Sequence, residues 1–137
     1  EADFSFSNRQ RYGQRYACCG DAAGFLDPVF SSGVFLALVG AERVADRVNE
    51  ALANATEAQA SMLAMDAQVF EEGFSTMRLF IERFYRSDMV QRLFFEADRS
   101  ETIKQQISAL LSGDLWRSDN AFQRMLLEGR QGRKRTA

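Results

Sequence analysis

Apolar and polar positions alternate along this chain first with the period of a strand and then with that of a helix. Asp3-Phe4-Ser5-Phe6-Ser7 repeats every second residue and predicts a half-buried strand. Asn8 to Gly13 is polar and closes on glycine, which predicts a turn. Gln14 to Cys19 reads as a second short strand, with Tyr16 and Cys18 on one face and Arg15, Ala17 and Cys19 on the other. From Val34 the period becomes helical and runs to Ala53. The opening turns of this helix, Val34 to Val39, are apolar on every side and are expected to be buried. Farther along, Val44, Ala45, Val48 and Leu52 form an inner stripe opposite Glu42, Arg43, Asp46, Arg47 and Glu50.

Asn54-Ala55-Thr56 predicts a break, with Thr56 positioned to cap a second helix from Glu57 to about Tyr85. Leu63, Ala67, Phe70, Phe74, Met77, Ile81 and Phe84 recur at helical spacing and are expected to form a core seam. A short helix is expected after Ser87 or Asp88, burying Met89, Leu93 and Phe94. Asp98 and Glu101 form a capping box before a helix from Ser100 to Leu111, which Gly113 stops. Asp114 then opens a last helix, ended by Gly129, with Leu115, Phe122, Met125 and Leu126 buried and Trp116 half-buried. The expected fold class is α+β and mainly helical: an N-terminal β-hairpin or strand pair followed by about five helices.

Between the strands and the first helix lies GDAAGFLDPVFSSGVFLAL, Gly20 to Leu38, where the candidate chemistry concentrates. Gly20, Ala22, Ala23 and Gly24 lack bulk, so the backbone there can approach a ligand closely, and glycine reaches dihedrals closed to other residues. Asp21 has a carboxylate suited to accepting hydrogen bonds from hydroxyls. Pro28 fixes its own φ and holds Asp27 extended. Ser31 or Ser32 can cap the following helix, leaving the N–H groups of Gly33 and Val34 at the positive end of its dipole, a place for an anion or an electron-rich carbonyl. The plain alternative, a tight turn followed by a capped helix, stands beside that reading. Asp21 and Asp27 have no polar neighbour to separate their pKa values, so ligand binding and turn capping suit them better than acid–base work.

Composition narrows the function classes. At 137 residues, 46% hydrophobic and 26% charged, the chain fits one domain or a piece of one. A formal charge of −2 argues against a general nucleic-acid binder. The last eight residues carry Arg130, Arg133, Lys134 and Arg135 without an acid and read as a disordered basic tail. Histidine is absent, which removes the commonest general base and zinc ligand. Cys18 and Cys19 are adjacent and point apart in a strand, so they are read as reduced thiols of a cytoplasmic protein. No CxxC, HExxH, GxxxxGK[ST] or GxSxG motif is present, which gives no support to zinc, nucleoside-triphosphate or serine-hydrolase chemistry.

The run GDAAGFLDPVFSSGV with an apolar helix behind it resembles the second flavin-binding motif of flavin-dependent halogenases. Those proteins share a glutathione-reductase-like FAD domain with single-component monooxygenases and geranylgeranyl reductases. The resemblance implies an FAD-dependent oxidoreductase, with residues 1–53 completing the FAD-binding domain, 54–129 a helical region and 130–137 the tail. It implies that Gly20, Ala22 and Gly24 give FAD its close backbone approach. Asp21 would meet the ribityl hydroxyls or the pyrophosphate, and Pro28 would lie near the isoalloxazine. Ser32 and Gly33 would present N–H groups to a halide beside the flavin. The GxGxxG segment for the ADP part of FAD is not in these residues, so an N-terminal FAD-domain half is the implied partner, and FAD is not expected to stay on this stretch alone. The catalytic lysine is likewise implied to lie upstream, since neither Lys104 nor Lys134 sits in a matching motif, and no catalytic residue is assigned here. Phe35 stands where many members carry histidine. The implied substrate is a small aromatic, carrier-bound or isoprenoid molecule, with homo-oligomerisation open. Alternatives are a geranylgeranyl-reductase-like or hydroxylating flavoprotein, and a non-catalytic helical interaction module.

Overall fold

The computed structural model describes residues 5–59, 63–86, 101–117 and 119–134. Among them are four short strands, β1 (Phe6–Ser7), β2 (Tyr12–Gly13), β3 (Tyr16–Ala17) and β4 (Gly24–Phe25), and four helices, α1 (Ser32–Ala53), α2 (Ala64–Arg86), α3 (Glu101–Leu111) and α4 (Ala121–Lys134). The chain is thus mainly helical with paired strands at its N-terminal end, as its periodicity predicts. The residues fall into two compact units, divided between Glu71 and Glu72 within α2.

In the first unit the strands form two antiparallel pairs. β2 and β3 make a hairpin, Tyr12 opposite Ala17 and Gly13 opposite Tyr16, so part of the expected polar turn is itself a strand. β1 pairs instead with β4, Phe6 opposite Phe25 and Ser7 opposite Gly24, so its partner comes from the glycine-rich run. Leu26, Leu36 and Leu63 are buried, and Gly40 lets the Phe70 ring lie against α1, 3.5 Å from where a Cβ would stand. The start of α1 differs from expectation. Leu36 is buried, but Val34 and Leu38 are each 67% exposed, so the unit covers one side of these turns only. Leu52, expected on the inner stripe, is also exposed, and Ala51 is buried in its place.

α2 starts at Ala64 rather than Glu57 because the polar break closes α1 instead of opening the next helix. Asn54 Nδ2 donates to the Glu50 carbonyl (2.8 Å), the Thr56 N–H donates to the Ala51 carbonyl (2.8 Å), and Ala55 is left-handed at φ 54°. Thr56 therefore serves the end of α1 rather than the start of α2.

In the second unit Phe74, Met77, Phe80 and Ile81 of α2 are buried with Ile107 and Leu110 of α3, Leu115, and Phe122 and Leu126 of α4. Each such side chain contributes roughly 1.5–3 kcal/mol of burial. The Phe80 and Phe122 rings meet edge to face, 6.1 Å between centroids. Gly113, at φ 96°, ends α3 as expected: its N–H donates to Leu110 and that of Asp114 to Ala109, the paired bonds of a Schellman motif.

The last helix begins at Ala121, not Asp114, and continues past Gly129 to Lys134. Asn120 is its cap, with Oδ1 accepting from the Phe122 N–H (3.0 Å) and the Gln123 N–H (3.1 Å). Asp114 is occupied otherwise, its carbonyl accepting from Gln123 Nε2 and its carboxylate facing Arg117 at 3.3 Å. The Arg117 guanidinium, by hydrogen bonding, also holds the Asp119 carboxyl below the usual carboxylate range. Leu115 is buried from the connecting segment and Trp116 is half-buried, whereas Met125 is 48% exposed rather than inward. The expected helix with Met89, Leu93 and Phe94, and Asp98 of the capping box, lie outside the described residues.

Candidate functional site

The glycine-rich run folds as two single turns separated by a strand. Cys19 is extended, and Gly20 then takes φ +58°, a left-handed value that disfavours a side chain. Gly20 to Ala22 form a 3-10 turn closed by the Ala23 N–H donating to the Gly20 carbonyl at 3.0 Å. Gly24 and Phe25 leave that turn as β4, and Ala23 and Leu26 are buried on either side of the strand. Asp21 and Ala22 are exposed. The turn packs on α1, where a Cβ at Gly20 would stand 3.8 Å from that of Ala37.

Asp27 and Pro28 make the second turn. The Asp27 Oδ1 accepts from the Val29 N–H at 2.9 Å, and Pro28 occupies the first position of a 3-10 turn through Phe30, where its missing N–H costs nothing. Turn capping, one of the two jobs open to Asp27, is the one the structure gives it.

The start of α1 departs from the expected capped helix. Ser31 precedes it at φ 52°, ψ 18°, and its side chain makes no cap hydrogen bond. A cap residue needs extended dihedrals to swing its oxygen over the first turn, and a left-handed residue does not supply them. Ser32 lies inside the helix, 3% exposed, with no hydrogen-bond partner for Oγ. Gly33 is half-buried, and beyond its chain neighbours and its own helix backbone no atom of the described residues lies within 4 Å of the position a Cβ would take. The Ser31 side chain therefore does not cap the opening N–H groups, and open space borders Gly33. Gly20, Asp21, Ala22 and Gly24 are thus gathered on a turn packed against α1, with Ser32 and Gly33 at that helix's first turn and Pro28 on the link between them.

Behind the glycine turn sits a cluster that the sequence pattern does not single out. Arg11 has a side chain only 11% exposed. Its Nε donates to the Ala23 carbonyl (3.1 Å), and its Nη2 donates to Ser7 Oγ (2.6 Å) and Glu71 Oε2 (2.5 Å). The guanidinium lies over the Phe70 ring at 4.9 Å. Asn8 completes the grip: its N–H also donates to the Ala23 carbonyl (3.1 Å), and its Nδ2 donates to the Ala22 carbonyl (3.0 Å). Asp66 of α2 pairs with Arg43 (3.6 Å) and Arg47 (2.8 Å) of α1. Its hydrogen bond raises the Arg47 pKa further above the ordinary value. Beside these residues a small open recess of about 40 Å³ is lined by Arg11, Tyr12, Cys18, Arg43 and Phe70 among others. Cys18 and Cys19 are both free thiols. No described helix is long and apolar enough to cross a membrane.

Comparison with known proteins converges on one group. The tryptophan halogenase family model matches residues 7–128. The chain is 31% identical over 116 residues to 1H-pyrrole-2-carbonyl-(peptidyl-carrier protein) chlorinase of Pseudomonas fluorescens, covering 85% of this chain and 25% of that protein. It is 45% identical over 47 residues to flavin-dependent halogenase armH5 of Armillaria mellea, 34% of this chain and 9% of that protein. A 1H-pyrrole-2-carbonyl-(peptidyl-carrier protein) brominase of Pseudoalteromonas luteoviolacea is 43% identical over 51 residues, 37% of this chain and 13% of that protein. The chain therefore spans a quarter or less of the length of these relatives.

Proposed function

The chain belongs to the tryptophan halogenase family, and from that premise we propose that it supplies the second flavin-binding motif and a backbone halide site to an FAD-dependent, halogenase-like oxidoreductase. In this reading it is the C-terminal portion of that protein. The observation that carries it is an exposed glycine-and-aspartate turn packed on a helix start that the Ser31 side chain leaves uncapped. The residues present fit a flavin. Gly20 at φ +58° and the small Ala22 and Gly24 keep the turn low enough for close approach, and the exposed Asp21 is free to meet hydroxyl groups. Pro28 would lie toward the ring system. The N–H groups of Ser32 and Gly33, with the positive end of the α1 dipole, would hold a halide, and the open space at Gly33 leaves room for one. Reduced FAD bound there would supply two of the four electrons that oxygen takes up, the halide supplying the other two as it becomes a halogenating agent, with water as the second product.

This chain's part is to bind, to orient and to concentrate the anion. The remainder of the FAD site, including the ADP end, and the lysine implied by the family resemblance would come from the N-terminal half. Two of the relatives are named for a pyrrole-2-carbonyl group on a peptidyl-carrier protein, and we assign this protein the same substrate class, a small aromatic acyl group held on a carrier. A cytoplasmic location belongs to the same proposal. No observation favours the reductase or interaction-module alternatives.

The test uses the full-length protein. Asp21→Ala is expected to weaken FAD retention about tenfold, the loss of a charge-assisted hydrogen bond, read by flavin absorbance after gel filtration. Wild-type protein with reduced FAD and oxygen is expected to give product only when chloride or bromide is present. Unchanged flavin content in the variant would remove the role given to Asp21, and turnover without halide would remove the halogenase reading.

A further inference from the structure

We infer that Arg11, assisted by Asn8, is the positioning residue of the Gly20–Gly24 turn, locking it in its ligand-facing form and tying its placement to α2. The inference rests on the flavin reading above, because the turn matters only if it meets a cofactor.

The turn's carbonyls decide which way it faces. The Ala23 carbonyl oxygen accepts two hydrogen bonds, from the Asn8 N–H and from Arg11 Nε, both 3.1 Å, so both lone pairs are engaged. The Ala22 carbonyl accepts from Asn8 Nδ2 at 3.0 Å. With both oxygens drawn toward the 8–11 segment, the peptides that follow Ala22 and Ala23 cannot rotate without breaking these bonds. Asp21 and Ala22 are left on the exposed side.

The clamp is itself held from several sides. The Asn8 Oδ1 accepts from the Gln10 N–H at 2.9 Å, an Asx turn that sets the Asn8 side chain. Arg11 Nη2 is anchored by Ser7 Oγ, and Ser7 is the residue paired with Gly24 across β1 and β4. Ser7, Arg11, Ala23 and Gly24 thus form a closed circuit of strand pairing and side-chain hydrogen bonds. Glu71 (2.5 Å) and the Phe70 ring (4.9 Å) fix the guanidinium from α2, so a shift of α2 would be felt at the turn. Only a planar fork with donors on different edges satisfies Ala23, Ser7 and Glu71 together.

Arg11→Lys separates positioning from mere stabilisation. Lysine keeps the charge beside Glu71 but has a single nitrogen, and it cannot also replace the Nε bond to Ala23. In the full-length protein this variant is expected to bind FAD about tenfold more weakly, the equivalent of one charge-assisted hydrogen bond. Its flavin absorption maximum is expected to shift, since a displaced turn changes the cofactor's surroundings. Excess FAD should restore occupancy but not the wild-type spectrum. Asn8→Ala removes the Ala22 bond from an unburied position and is expected to weaken FAD binding roughly threefold with melting temperature nearly unchanged. If both variants bind FAD with wild-type affinity and spectrum per folded molecule, whatever their melting temperatures, the inference is overturned while the flavin reading stands. If wild-type full-length protein takes up no FAD, the flavin reading falls and the inference falls with it.

Discussion

At the scale of single residues, Gly73 shows how the structure reverses a propensity argument. It sits inside α2, where alanine would ordinarily stabilise a helix by about 1 kcal/mol. A Cβ there would stand 2.6 Å from Cζ2 and 2.8 Å from Cε2 of Trp116, two atoms of one rigid ring. The indole must move, so Gly73→Ala is expected to cost a net 1–2 kcal/mol or about that. Urea unfolding followed by the emission of Trp116, the only tryptophan, measures it, and a stabilised variant would contradict the packing described. Residue types carried much of the glycine-rich run openly, because glycine takes φ +58° without the strain a side chain brings and an aspartate before proline is a ready turn cap. Arg11 was not legible. Arg9, Arg11 and Arg15 lie close together in one polar stretch, and nothing in their order tells which of them is buried against Phe70.

At the scale of elements, long periodic segments were readable and their ends were not. The α2 seam emerges as the sequence spacing implies, since Phe74, Met77 and Ile81 are buried. The pairing of β1 with β4 was hidden because each strand is two residues long and the partner lies inside a run that also reads as a turn. The last helix starts later than its pattern predicts because Asp114 and Asn120 are both good cap residues, and only the tertiary contacts choose between them. Asn120 wins by doing two jobs: its Oδ1 caps Phe122 and Gln123, and its Nδ2 donates to the Gln106 carbonyl of α3 at 3.2 Å. Asn120→Ala should therefore cost more than an exposed cap, about 2 kcal/mol. Amide exchange is the sharper readout. The N–H groups of Phe122 and Gln123 are expected to exchange faster in the variant, relative to those in the middle of α2, and uniform acceleration would mean a general loss of stability instead.

At the scale of the whole molecule, the question is how much of a flavin site 137 residues can hold. In the proposed reading the chain offers a turn for the hydroxyl-bearing part of FAD and a helix start for an anion, but its sequence contains no GxGxxG for the pyrophosphate and adenosine. Affinity for a dinucleotide is shared between its two ends, and losing the phosphate-cradling end removes the contacts that are strongest per atom. α1 points the same way, since Val34 and Leu38, one helical turn apart and next to the site, are each 67% exposed. The expected outcome is that the 137-residue chain, produced alone and shown to be helical by circular dichroism, leaves added FAD free on gel filtration, whereas the full-length protein elutes yellow. Adding the proposed N-terminal FAD-domain half as a separate chain should restore flavin binding together with co-elution. Stoichiometric FAD on the isolated chain would mean that Gly20 to Gly33 and the surfaces around it make a complete site, and that the N-terminal half contributes catalysis rather than cofactor binding.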